Sequence, residues 1–263
     1  MTRVILFTTA LLLSVLTNAQ VSEKRTVGEF SKIKVSSGIE LIYMQSSTQE
    51  IKVETDDNER MSYVRTEIEG STLRVYLNTE KAPKAEKKKR RKNYNSYNNV
   101  NFDVLRVYVS NTLVDDFNVN SSASLLIKNS LKAENLFVEC SSSGNFTGAI
   151  KCTTATIQAS SSADVDANIT ADVINASANS SADVELSGTS EKVTIKTSSS
   201  ADCKAKNLIA KNAVVESSSS SDVDVYASQK LSASASSSAS ITFFGNPTNV
   251  EKSESSSGSV TQR

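Results

Sequence analysis

The sequence predicts an all-β protein, a right-handed parallel β-helix with about 19–20 residues per coil in its C-terminal half. Three observations predict it: a serine-rich corner motif recurs at nearly constant spacing, apolar and polar residues alternate on both sides of each corner, and the repeats are rich in serine and β-branched residues. Constant spacing indicates a solenoid, and period-two alternation indicates strands with one buried face.

The corner motif is a run of serines followed by a small, a polar and an apolar residue, as in SSSADV at residues 160–165. Neighbouring copies lie 18–21 residues apart. Two short strands and two corners cannot bury a core alone, but stacked in register they can. The polar position recurs at Ser124, Asn145, Asp164, Asp183, Asp202, Asp222, Ser240 and Ser259.

The residues around this polar position form rows. The residue before it is small and the residue after it is apolar in every copy, and a second alternating strand precedes each serine run, as at residues 193–197. The sequence lacks the 3.6-residue period of helical repeats. The right hand follows from the crossover preference of parallel strands.

The domain organisation follows from the same patterns. Residues 20–263 are predicted to form one domain with regular coils over 117–263. Residues 24–80 are interpreted as earlier, more divergent coils, and residues 105–109 lead into the regular part; the larger side chains here indicate a wider or capped N-terminal end. Residues 1–19 combine a basic start, an apolar run and a small residue at a cleavage site, which indicates a secretory signal peptide. The mature protein is therefore expected in the periplasm, on the outer-membrane surface or secreted.

Residues 81–99 break the alternation and are expected to form a mobile basic loop that leaves the rod. The loop is interpreted either as a solvated segment or as a contact for anionic envelope polymers. Export argues against nucleic acid as its partner. Its basic residues are Lys84, Lys87, Lys88, Lys89, Arg90, Arg91 and Lys92.

Composition excludes several function classes. The chain has no histidine, which weighs against histidine-dependent hydrolases and histidine-ligated metal sites, and its formal net charge is zero. Of its three cysteines, Cys140 and Cys203 fall on core rows, so they are interpreted as small apolar core residues; the state of Cys152 stays open.

With these features the chain resembles the auto-transporter adhesins with a head GIN domain, exported proteins common in Bacteroidetes. The resemblance rests on the opening pattern F-x-x-I-x-V-S-S-G-I-x-L at residues 30–41, on the serine corners and on the ending ITFFGNP at residues 241–247. It implies a β-helical cell-envelope protein without an established reaction. The corners depart from the family's usual Ser-Gly-Ser-Gly, since this chain mostly has Ser-Ser-Ser-Ala.

Chemistry could reside on the outward rows of the strand that follows each corner. If the coils stack in register, seven carboxylates and Lys204 share one face, with neighbours about 4.8 Å apart between coils. This face is interpreted as a solvated charged surface, a Ca²⁺ site or an acid pair for carbohydrate processing. The carboxylates are Asp164, Asp166, Asp183, Glu185, Asp202, Asp222 and Asp224.

We therefore expect an exported, adhesin-type binding or structural module of the cell envelope and not an enzyme, because no catalytic set stands out. Its partner is expected to be a glycan, another envelope polymer or a surface protein. A polysaccharide-processing enzyme and a module that assembles end to end, as a homo-oligomer, are the alternatives. The serines are interpreted as structural corners whose hydroxyls bond to nearby backbone groups.

Overall fold

A computed structural model of the chain describes residues 20–80, 95–97, 100–112 and 114–263. Twenty of its strands belong to one hydrogen-bonded sheet. The N-terminal elements are β1 Val21–Arg25, β2 Lys32–Val35, β3 Glu40–Gln45, β4 Glu50–Thr55, the one-turn helix α1 Asn58–Met61, β5 Val64–Glu69, β6 Thr72–Leu77, β7 Asn95–Tyr97, β8 Val100–Phe102 and β9 Leu105–Asn111. The remaining strands are β10 Asp116–Val119, β11 Ser124–Ile127, β12 Leu131–Lys132, β13 Asn135–Cys140, β14 Asn145–Lys151, β15 Thr154–Ser160, β16 Asp164–Asn179, β17 Asp183–Thr197, β18 Asp202–Ser217, β19 Asp222–Ala235, β20 Ser240–Phe244, β21 Asn249–Glu254 and β22 Ser259–Gln262.

The strands stack in parallel coils and form a β-solenoid of about eight turns, which confirms the predicted fold class. The strands that follow the serine corners form wall A, made of β3, β11, β14, the first halves of β16 to β19, β20 and β22. The strands that precede the corners form wall B, made of β2, β10, β13, β15, the second halves of β16 to β19, and β21. The right hand of the winding stays a prediction.

The serine corners have a backbone conformation that the sequence does not predict. Each corner from residue 121 onward places two consecutive serines in the left-handed region, for example Ser180 at φ 53° and Ser181 at φ 57°, and the corner before β3 has Ser37 and Gly38 there. The N–H of the second serine donates to the carbonyl of the first serine in the next coil, as from Ser181 to Ser199 at 3.0 Å. These coil-to-coil bonds, rather than the expected serine hydroxyls, satisfy the N–H of the second serine in each corner that has a following coil.

Between the walls lies a continuous apolar core. The residues before and after the recurring polar position point inward, so that Ala163 and Val165 are buried on either side of exposed Asp164. Aromatic rings fill the N-terminal part of the core, where Tyr43 and Phe117 meet edge to face with centroids 5.3 Å apart. Smaller side chains, mostly alanine, valine, leucine and isoleucine, fill the later coils, and Phe243 is buried near their C-terminal end.

The N-terminal region differs from the predicted series of divergent coils. Only β2 and β3 take their expected places beside β10 and β11; β6 and β9 form a further parallel coil on the other side of β2 and β3. Antiparallel strands then cover this coil: β4 pairs with β9, β1 pairs with β4, and β5 pairs with β6. Alternation could not show this order because parallel and antiparallel strands share period two.

The predicted basic loop is only partly described. Its last part includes β7, which pairs with β8 in an antiparallel hairpin, so the segment is not all loop. The seven basic residues from Lys84 to Lys92 lie outside the described residues, as do residues 1–19.

Candidate functional site

Wall A carries a stack of carboxylates that we call the acidic ladder. In its first row, Asp164, Asp183, Asp202 and Asp222 lie directly opposite one another on four successive parallel strands. In its second row, two residues further along each strand, the order is Asp166, Glu185, Lys204 and Asp224. The structure thus brings together all seven predicted carboxylates and the predicted lysine.

The strand pleat fixes the direction of these side chains. Val165 and Ala167 of β16 point inward and are buried. Because side chains alternate along a strand, Asp164 and Asp166 point outward and are exposed. The corner before each strand sets the same phase in every coil, so the acidic residues repeat on the outer face. Uncharged residues bound the first row, with Asn145 paired to Asp164 at one end and Ser240 paired to Asp222 at the other.

Asp202 lies between two like charges in the first row of the ladder. Partial burial raises the pKa of its carboxyl, and the neighbouring charges of Asp183 and Asp222 raise it further, while Lys204 lowers it. Like charges opposite one another on adjacent strands destabilise a sheet. This stack therefore costs folding free energy at neutral pH.

Other surfaces of the solenoid combine opposite charges between neighbouring coils. On wall B, Lys196 lies 2.9 Å from Glu216 and Lys230 lies 3.2 Å from Glu251. At the bend between the walls, Lys211 lies 2.7 Å from Glu191. Like charges also lie opposite each other elsewhere, as in the pairs Lys34–Arg74 and Lys132–Lys151, but the acidic ladder extends such stacking over four successive strands.

The surface of the ladder is shallow. A depression of about 130 Å³ lies over its central strands, lined by ladder carboxylates, Lys204 and the edges of Val165 and Val184. The repeat supplies several equivalent carboxylate pairs within it, whereas a glycosidase needs one pair at a defined separation in a cleft. The geometry therefore suits contact with a surface more than enclosure of a small molecule.

The described carboxylates do not form a coordination geometry that would support the Ca²⁺ hypothesis. Among the described residues, no three acidic or thiol side chains converge closely enough to hold a metal ion. Ca²⁺ takes six to eight oxygen ligands, and a flat ladder offers each position only its two neighbours along the row. Cation binding by the seven carboxylates stays a prediction, which a calcium titration followed by thermal melting tests.

The cysteines occupy the predicted places. Cys140 and Cys203 are buried free thiols, and burial raises the pKa of each to about 12. Cys152 is a free thiol at intermediate exposure.

The sequence also matches a known family. The model of the family described as "Putative auto-transporter adhesin, head GIN domain" matches residues 29–168 and 148–247. The chain belongs to this family. Membership confirms the resemblance and implies an exported or surface protein of adhesin type. Within the described residues, the structure contains no helix with the length and apolar character that crossing a bilayer requires.

Solved structures share the fold of this adhesin-family chain at low sequence identity. A "putative lipid binding protein" from Parabacteroides distasonis is 24% identical with a TM-score of 0.80, covering 93% of this chain and 96% of its own. A "putative adhesin" from Parabacteroides merdae is 17% identical with a TM-score of 0.79 and the same coverage. Another from Parabacteroides distasonis is 18% identical with a TM-score of 0.76, covering 93% and 97%. The chain matches no curated protein.

Proposed function

We propose that the protein is an exported binding module of adhesin type that contacts its partner through the acidic ladder. The observation that carries this proposal is the uninterrupted stack of Asp164, Asp183, Asp202 and Asp222 on four adjacent strands. Neighbouring coils elsewhere combine lysine with glutamate, so the same fold accommodates paired charges readily. Sites that depart from local stability rules are where function is expected.

The chemistry of the ladder favours a positively charged partner. Seven carboxylates in two rows, with Lys204 as the one cation among them, form a field that attracts cations and repels anions. Many weak contacts along one face add up when the partner carries several cationic groups. A protein surface rich in lysine and arginine has this chemistry, whereas a neutral glycan does not, and we therefore favour a surface protein over a glycan or another envelope polymer.

Binding to arrayed model ligands tests the proposal. The array carries basic proteins, acidic proteins, and neutral and anionic glycans, and binding is measured at low and high salt. The ladder variant is Asp164→Asn/Asp183→Asn/Asp222→Asn. The matched control, Glu191→Gln/Glu216→Gln/Glu251→Gln, removes three carboxylates that pair with lysines on other surfaces.

We expect the wild type and the control to bind basic proteins in a salt-dependent manner, and the ladder variant to lose most of this binding. Equal binding by the ladder variant and the wild type would contradict the proposal. Binding to a neutral glycan that neither variant weakens would place the contact elsewhere. Release of new chain ends from a polysaccharide would instead support the enzyme alternative.

The basic segment is a separate prediction, because its residues from Lys84 to Lys92 lie outside the described part of the chain. We propose it as a contact for anionic polymers or lipid headgroups. Deletion of residues 84–92 should reduce salt-dependent binding to anionic liposomes and to lipopolysaccharide. Retention of full binding by the deletion variant would refute this role.

A further inference from the structure

The last coil that the structure describes breaks the apolar core rows of wall B. Above it, one inward row contains Ile157, Ala176, Ile195, Val215 and Ala233, and the register places Lys252 next in this row. The neighbouring row contains Ala159, Ala178, Thr197, Ser217 and Ala235, and Glu254 comes next. Two charged residues thus occupy positions that are apolar, or small and hydroxylated, in every coil named above.

Both charged side chains fold over the core. The Lys252 ammonium lies 4.7 Å from the ring centroid of Phe243, a ring that is only 1% exposed, and it donates a hydrogen bond to the Val260 carbonyl at 3.1 Å. The Glu254 carboxylate accepts a hydrogen bond from the Val260 N–H at 2.6 Å. Both side chains therefore bond to the main chain of one residue of β22, and they cover the end of the apolar core.

We infer that Lys252 and Glu254 form a polar plug that prevents a second copy of this chain from stacking on the C-terminal coil. An exposed strand edge is a template for pairing with another chain, and inward-pointing charges are a known protection against it. Terminal repeats of solenoids likewise need a polar outer face to stay soluble. The inference does not depend on the proposed function of the acidic ladder.

The surface that the plug closes is suited to a copy of itself. No described strand pairs with the outer edge of β21 or β22, and Val250 on β21 is 40% exposed. The opposite end of the rod is covered by the antiparallel strands β1, β4 and β5. Removal of the plug therefore opens one end only, and two copies would meet C-terminal end to C-terminal end about a two-fold axis.

The test compares the mass of purified variants by analytical ultracentrifugation over a range of concentrations. The plug variant is Lys252→Leu/Glu254→Ala, which makes the last coil resemble the coils above it. The matched control is Lys196→Leu/Glu216→Ala, which makes the same chemical change at an ion pair on the outer face of wall B. We expect the plug variant to double in mass with rising concentration, while the wild type and the control stay monomeric.

A second variant locates the contact and guards against misfolding. Adding Val250→Lys to the plug variant should restore the monomer, because it returns a charge to the same edge. Circular dichroism verifies that each variant keeps its strand content, and the single substitution Lys252→Met replaces the plug variant if that variant unfolds. A monomeric plug variant with an intact fold, a dimer that persists with Val250→Lys, or a wild type that already dimerises through this end would overturn the inference.

Discussion

Asp183 and Asp202 lie directly opposite each other on adjacent parallel strands, and Asp222 continues the row on the next strand. Asp202 is therefore flanked by a carboxylate on each side, and partial burial together with these two charges raises its pKa. The like-charge row is fixed by the register of the coils, since the N–H groups of the corners bond from coil to coil.

Replacing Asp202 with asparagine should stabilise the protein at pH 7 by about 0.2–1 kcal/mol, because it removes a like-charge contact on both sides. The folded protein holds the Asp202 proton to higher pH than the unfolded chain does, so the free energy of unfolding falls as pH rises from about 3.8 through the raised pKa. Asp202→Asn should lose this component of the pH dependence. Urea unfolding of the wild type and of Asp202→Asn between pH 3.5 and 7 measures the free energy of unfolding and its pH dependence.

The control for this prediction is Glu191→Gln, which breaks an ion pair with Lys211 between neighbouring coils. The pair is exposed, so the loss should be small and of opposite sign. A destabilising effect of Asp202→Asn at pH 7 would show that repulsion within the row is outweighed by another contact.

Ser181→Gly should leave stability unchanged or raise it, whereas Ser181→Val should cost about 1–2 kcal/mol, because this corner residue has φ 57° and left-handed backbone is strained for side chains with a Cβ. A β-branched residue is worse than serine there. Chemical denaturation of both variants measures the difference. Ser232→Val on wall B is the matched control, since a strand accepts valine; equal losses at the two positions would refute the corner argument.

Gly188→Ala should destabilise the solenoid by at least about 1–3 kcal/mol from backbone strain alone, because Gly188 has φ 109°. An added Cβ would also lie 2.1 Å from the Ile169 carbonyl oxygen of the neighbouring coil. Thermal melting is the measurement. Gly28→Ala is the control, since its added Cβ meets its nearest neighbour, Ile68, at 3.9 Å, and it should melt like the wild type.

Thiol labelling should distinguish Cys152 from the two buried cysteines. Burial raises the pKa of Cys140 and Cys203 to about 12, which removes the reactive thiolate at pH 8, and both side chains are inaccessible. Burial also raises the pKa of Cys152, but this thiol is partly exposed. In the native protein, Ellman's reagent should therefore modify Cys152 slowly and before the other two thiols. After denaturation it should modify all three. Rapid modification of the native Cys152→Ser variant would contradict this assignment.

The regular coils and the acidic ladder could be predicted because the information is local and repeated. A spacing of 19 or 20 residues from Asp164 to Asp222 already implies that these side chains stack, and alternation already implies that they point outward. The break at Lys252 and Glu254 is also visible in the sequence once the inward rows of wall B are aligned.

The sequence by itself thus determined the coil, its length, its buried rows and its charged face, since each follows from a short pattern that every coil repeats. Only the tertiary structure decided where β9 lies, because alternation is the same for a strand beside β3 and for one beside β11. It also decided the left-handed serines, which no local preference for serine predicts. Backbone hydrogen bonds between stacked corners, such as Ser181 to Ser199, exist only once neighbouring coils are in place.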